Sequence, residues 1–330
     1  MVLALATALT SDFSKLKDVF RHLAIGPLAF ALFSTVGAYL ASALSFNALF
    51  KMTPYRVPFP KFFSIMFISD TINIIVSSGG MSSIANRAFL LKHEKVPFSV
   101  TIPLSLAQNM IFNLVLSCVC FGALFYLHGH PEFTGGPKQA LVLVFMAGLL
   151  VVMGAMMMIF LHRAFRRWVL RQILRTSHWI SHKILRRKKD PRGLVIIRAK
   201  LETTVALLHK GRVYLLLVFF WIALDWCLMP LTFYFCFHAV GVDLPLGLLL
   251  VGFAVMFLSS NVNPVPAGLG VSESLVALTF KNMGVSFEKT LVAALIYRLV
   301  FFLIPLAIST ALYLDTIRSF LKAQAEEPPL

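Results

Sequence analysis

Residues Ser260 to Ser274 read SNVNPVPAGLGVSES. Two prolines, two glycines, two asparagines and a glutamate fall here between apolar runs, 244–258 before and SLVALTF after. Pro264 and Pro266 supply no backbone donor and break a helix. Gly268 and Gly270 allow dihedrals closed to other residues and let neighbouring groups approach. Irregular backbone is tolerated at bilayer depth only where protein buries it or where it lines a watery cavity. The stretch therefore reads as the break of a helical hairpin whose two arms, over 244–284, lie in a membrane.

The rest of the chain supplies that membrane context. Of its 330 residues 58% are hydrophobic and 13% charged, where a soluble domain averages about 25% charged. The mean hydropathy is +0.83. Apolar runs at 23–50, 98–127, 138–162, 212–240 and 287–315 are each long enough to span a bilayer, which takes about 20 residues. Residues 57–95 repeat the pattern of 244–284: apolar to Val76, broken at SSGG (Ser77 to Gly80), then resuming as MSSIANRAFLL. The expected fold is an all-α polytopic membrane protein, one integral membrane domain over 1–330. It has about five full spans and two broken or re-entrant hairpins, or seven to eight spans if the hairpins cross fully.

An ungapped shift of 189 positions superposes the two broken regions. Gly79 meets Gly268, Ser83 meets Ser272, Lys92 meets Lys281, Val96 meets Val285 and Phe98 meets Phe287. Repeat 1 covers about 22–127 and repeat 2 about 212–315, joined by a span and a basic loop over about 138–211. Residues 163–200 carry thirteen Lys and Arg against one acid, Asp190. The positive-inside rule makes the loop at 163–211 cytoplasmic. Counting spans outward from it opens one hairpin to the cytoplasm and the other to the outside, so the repeats come out inverted, as in many transporters.

The net charge of +16 sits beside apolar spans, so orientation and attraction to anionic lipid explain it; nucleic acid is not expected as a partner. Within 163–187, Phe165, Val169, Ile173, Ile180 and Ile184 share one helical face and Arg163, Arg167, Arg171 and Arg175 the other. That pattern reads as a helix on an anionic lipid surface or as a solvated orientation signal. The first residues, MVLALATALTSDFSKLKDVFRHL, read as a short interfacial helix rather than a signal peptide.

Chemistry-bearing residues concentrate near the breaks. A helix starting near Gly270 puts Ser272 and Glu273 in its first turn, where free N–H groups favour an anion. Glu273 complements that dipole and would repel a phosphate, so it pairs with a cation, a protein arginine or a ligand amine. Arg298 lies inside a span and needs a partner; Glu273 is the candidate. Asp70 and Asp225 lie inside apolar segments, and Arg87 just follows the first break. Gln108, Asn109 and Asn113 share one face of their span. The candidate binding set is thus Asn263, Pro264, Pro266, Gly268, Gly270, Ser272, Glu273 and Arg298, with Asp70, Arg87 and Asp225. Cys118, Cys120, Cys227 and Cys236 lack metal-ligand spacing, and no P-loop, GxSxG or nucleotide fingerprint is present. No metal, cofactor or enzymatic reaction is expected.

PVPAGLGVSE, Pro264 to Glu273, resembles the PxPGGxGxxE motif of the lysylphosphatidylglycerol synthase transmembrane-region family, a flippase-like domain. Tyr297–Arg298 resembles the YR that follows it there. Ala267 replaces a glycine, and Ser272 stands where arginine is common. The family's earlier GExxR segment is matched only at Arg87, with Ser83 and Ile84 in place of its Gly and Glu. The resemblance, over roughly 22–315, implies a bacterial or archaeal inner-membrane protein that translocates or handles lipids. In some relatives the domain flips an aminoacylated phospholipid and is fused to a soluble aminoacyl-transfer domain. The chain ends at Leu330, too early for that domain, so no aminoacyltransferase is expected. The leading expectation is a flippase-like transporter of a lipid with a charged headgroup. The alternatives are an accessory subunit of a lipid or glycan biosynthetic enzyme, docked through the basic helix, and a lipid transferase using Glu273 or Asp225 as base.

Overall fold

A computed structural model describes residues 23–76, 80–130, 133, 137–162, 164–165, 168, 212–262 and 268–326. The N-terminal helix expectation, the amphipathic pattern of 163–187, and Asn263, Pro264 and Pro266 lie outside the described residues, apart from a few positions near Trp168.

The long apolar runs form α1 (Ile25–Phe50), α4 (Phe98–Gly129), α5 (Pro137–Leu161) and α6 (Arg212–Ala239). The last run forms α9 (Phe287–Arg298), a five-residue π turn (Leu299–Leu303) and α10 (Ile304–Glu326). In lipid every backbone amide must bond within its own segment, which is why each run closes into a helix. The broken regions form two pairs: α2 (Phe59–Val76) with α3 (Met81–His93), and α7 (Leu246–Val262) with α8 (Val271–Lys281). Among the described residues six helices are long and apolar enough to cross a membrane, and α2 is one of them. The first hairpin therefore has a long first arm. Lys61 and Asp70 are the only charged residues among its 18, which favours full crossing of this arm over a re-entrant piece.

The π turn has an identifiable cause. Pro305 has no N–H for the carbonyl of Phe301, four residues earlier, and its ring crowds that oxygen. The Tyr39 hydroxyl donates to it instead, at 3.1 Å. Thus α1 caps the gap that the proline opens.

The first helices of the two halves, α1 and α6, pack along their length. The Ala24 amide donates to the Ala239 carbonyl at 3.0 Å. Phe30 stacks on Phe235, centroids 5.4 Å apart, and Gly37 sits against Leu228. As numbers rise along α1 they fall along α6, so the two helices are antiparallel. The first arm of each hairpin packs on the last span of the other half, α2 on α10 and α7 on α4.

The 189-residue shift holds in detail where each hairpin ends. Lys95 and Gly284 are equivalent, and both adopt positive φ, 61° and 83°. Just after them, the Val96 amide donates to Leu91 at 3.0 Å and the Val285 amide to Phe280 at 2.9 Å, the reversed bonding that closes a helix at a left-handed residue. Lys92 lies 5.3 Å from the Phe98 ring centre and Lys281 5.9 Å from that of Phe287. The same turn with the same cation–π contact thus recurs 189 positions apart. A Cβ on Gly284 meets nothing within 4 Å, so Gly284→Ala tests backbone conformation alone. It is expected to cost about 1–2 kcal/mol, read as a lower thermal midpoint in detergent.

Candidate functional site

A cavity of about 350 Å³ lies between the two hairpins, within the 300–1,000 Å³ range of small-molecule sites. Its wall draws on α1, α2, α3, α4, α6, α7, α9 and the π turn. Three of the sequence-selected charged residues line it: Asp70, Arg87 and Asp225. Gln108, Asn109 and Asn113 line it too, and Phe112, Phe253 and Phe257 make much of the wall apolar.

Arg87 organises one side. Its guanidinium is ion-paired with Asp70 through Nη2 and donates from Nη1 to Gln108 Oε1 at 2.5 Å. Gln108 in turn donates to the Ser45 hydroxyl at 2.5 Å and the Ser42 carbonyl at 3.1 Å. Asp70 accepts from Ser42 and Ser83, at 2.8 and 3.1 Å. The Phe46 ring lies 5.1 Å from the guanidinium. One arginine thus ties both arms of the first hairpin to α1 and α4.

The second hairpin is arranged differently. Arg298 Nε lies 2.5 Å from Glu273 Oε1, with both side chains essentially inaccessible at 2% and 1%. Arg298 Nη2 donates to the Ser260 hydroxyl at 3.1 Å, and the Phe302 ring stands 4.8 Å away. Gly268, at φ 63°, packs where a Cβ would come within 2.8 Å of Ser272 Oγ and 2.9 Å of Ser260 Cα. Gly270, at φ 79°, opens α8, and the Ser272 and Ser260 hydroxyls bond at 3.0 Å. Glu273, Arg298, Ser272, Gly268 and Gly270 therefore cluster behind the cavity wall, and Ser260 and Phe302 carry that cluster to the lining.

The 189-residue shift does not carry the charges across. Glu273 and Arg298 correspond to Ile84 and Asn109; Asp70 and Arg87 correspond to Ser259 and Val276. Each break still presses a glycine on the same place of its last span. Gly80 packs against Asn109, where a Cβ would sit 2.8 Å from Oδ1, as Gly268 packs beside Arg298.

Asp225 stands apart. It is 1% exposed and lines the cavity from α6, and its Oδ1 has no hydrogen-bond partner among the described residues. The neighbouring Trp226 packs on Phe112, Phe253 and Phe257 of the cavity wall. No group of three or more metal-ligating side chains occurs among the described residues.

Sequence reasoning anticipated the Glu273–Arg298 pair and the shared face of Gln108, Asn109 and Asn113. It did not find Arg87 as the partner of Asp70, nor the polar patch of α1. Ser42 and Ser45, one turn apart in an apolar run, were the available signal.

The family described as the lysylphosphatidylglycerol synthase TM region matches residues 1–309. A phosphatidylglycerol lysyltransferase of Staphylococcus aureus (strain MRSA252) is 32% identical over 88 residues, 27% of this chain and 10% of that protein. The protein of that name from strain COL is 31% identical over 88 residues, with the same coverage. The matched segment spans about a tenth of the length of these relatives.

Proposed function

This chain belongs to the lysylphosphatidylglycerol synthase TM-region family, and on that premise we propose that it is a flippase-like carrier of a lipid with a charged headgroup. It is a multi-pass membrane protein associated with lipid; the transport step, its seat in the inner membrane and the absence of chemistry of its own are the proposal. The observation that carries it is the cavity of about 350 Å³, walled by aromatic side chains and edged by Asp70, Arg87 and Asp225. Such a wall suits a polar headgroup held inside the protein while the acyl chains remain in lipid. The two halves read as an inverted repeat, since α1 and α6 are equivalent and antiparallel. That symmetry supplies two related hairpins, one to open toward each side of the membrane.

The test is reconstitution into vesicles with acyl-labelled phospholipid and a membrane-impermeant quencher. The protein is expected to expose the inner-leaflet pool much faster than empty vesicles do. Asn113→Trp, which fills the cavity from α4, is expected to abolish that exposure in protein that still elutes as a monodisperse peak. Quenching no faster than in empty vesicles, for anionic, zwitterionic and cationic headgroups alike, sinks the transport reading.

A further inference from the structure

The cavity's charges do not balance within the protein. Asp70 is compensated by Arg87. Glu273 is compensated by Arg298 and lies behind the wall. Asp225 is left. Among the described residues Arg87 is the one Lys or Arg in the cavity lining, and it is already shared between Asp70 and Gln108. A buried carboxylate without a counter-charge carries a desolvation penalty of several kcal/mol. A buried oxygen without a donor adds its own.

A second pair of unsatisfied polar atoms lies in the same lining. The Ser105 hydroxyl is buried without a partner, and Arg87 Nε is likewise without one among the described residues. Ser69 and Thr35, buried in neighbouring helices, bond back to the preceding turn, which the Ser105 hydroxyl does not. Asp225 Oδ1, Ser105 Oγ and Arg87 Nε, each without a partner among the described residues, all belong to side chains that line this one cavity.

We propose that Asp225 is a specificity-determining residue that accepts the protonated amine of the headgroup carried in this cavity. This rests on the carrier reading above. It assigns the cation contact to α6, and not to Glu273, whose charge Arg298 already meets. An ammonium group brings both the missing charge and up to three donors. Ser105 adds a neutral contact beside it. Trp226, next in sequence and packed on the cavity wall, lies where occupation of the site alters its surroundings.

The test measures binding and transport separately on the full chain in detergent and in vesicles. The probes are dioctanoyl phosphatidylethanolamine and its N-acetyl derivative, which keeps the phosphate and loses the cationic amine. Immobilised wild type is expected to retain the amine form about tenfold or more over the acetylated form, the scale of one hydrogen bond to a charged group. Asp225→Asn is expected to bring the ratio near one. Cys227→Ser, at an exposed position of the same helix, is expected to keep it. Equal retention of both probes by wild type overturns the assignment, as does failure to retain either. A ratio that survives in Asp225→Asn also overturns it. Selective binding that depends on Asp225, with no faster exposure of the inner leaflet, leaves the assignment standing and removes the transport reading instead.

Discussion

Arg298→Met is expected to cost about 3–5 kcal/mol, the scale of breaking a buried pair by removing one partner. It leaves Glu273, 1% exposed, as a charge with no cation beside it. Glu273→Gln is expected to cost a similar amount by stranding the guanidinium. The double variant Glu273→Leu with Arg298→Met removes both charges and is expected to recover most of the loss, because apolar replacement of a whole buried pair is often neutral or better. Thermal midpoints and the monodisperse fraction in detergent read all three. The result separates two roles for Glu273. A glutamate that exists to meet a ligand amine would leave stability unchanged when made a glutamine and would reduce binding instead. If the single variants melt as wild type does, the pair is not what holds the second break to its span.

Much of this fold is legible in the sequence because the bilayer makes length and polarity strict. An apolar run of 26 or 32 residues, as in α1 and α4, has no other way to satisfy its amides. The breaks are legible for the same reason: SSGG and PVPAGLG cannot continue a helix. The 189-residue shift is visible from a few identities, and it pairs two left-handed turns, at Lys95 and Gly284. Pairings across the bundle are less legible. Glu273 and Arg298 could be matched because one hairpin arm separates them and each lacks another candidate. Asp70 and Arg87 stand on opposite arms of a hairpin whose sequence fits both a re-entrant and a fully spanning first arm. Their meeting depends on how far α2 runs before it turns. Nor does a sequence say which acid stays unpaired. Asp225 and Asp70 look alike in their apolar contexts, and only the placement of Arg87 distinguishes them.

Arg87→Ala is expected to reduce lipid transport by about 10–100-fold, the loss of hydrogen bonds made by a charged group at about 1.5–3 kcal/mol each. The arginine joins elements that the carrier reading requires to act together. Its two terminal nitrogens reach Asp70 on α2 and Gln108 on α4, and Gln108 continues to Ser45 and Ser42 on α1. Lysine cannot reproduce this, because an ammonium is a point charge without the planar fork. Arg87→Lys is therefore expected to fall nearly as far as Arg87→Ala, although it keeps the charge. Stability should suffer less than in the Arg298 variants. The Asp70 side chain is 20% exposed where that of Glu273 is 1%, and it keeps Ser42 and Ser83 as donors. Gln108→Leu breaks the link to α4 and leaves the ion pair intact, so it measures the clamp apart from the charge. Transport at wild-type rate in Gln108→Leu, with loss only in the Arg87 variants, would place the whole effect in the Asp70 ion pair. Full activity in Arg87→Lys would mean that the fork plays no part, since charge alone would then suffice to hold the first hairpin against the cavity.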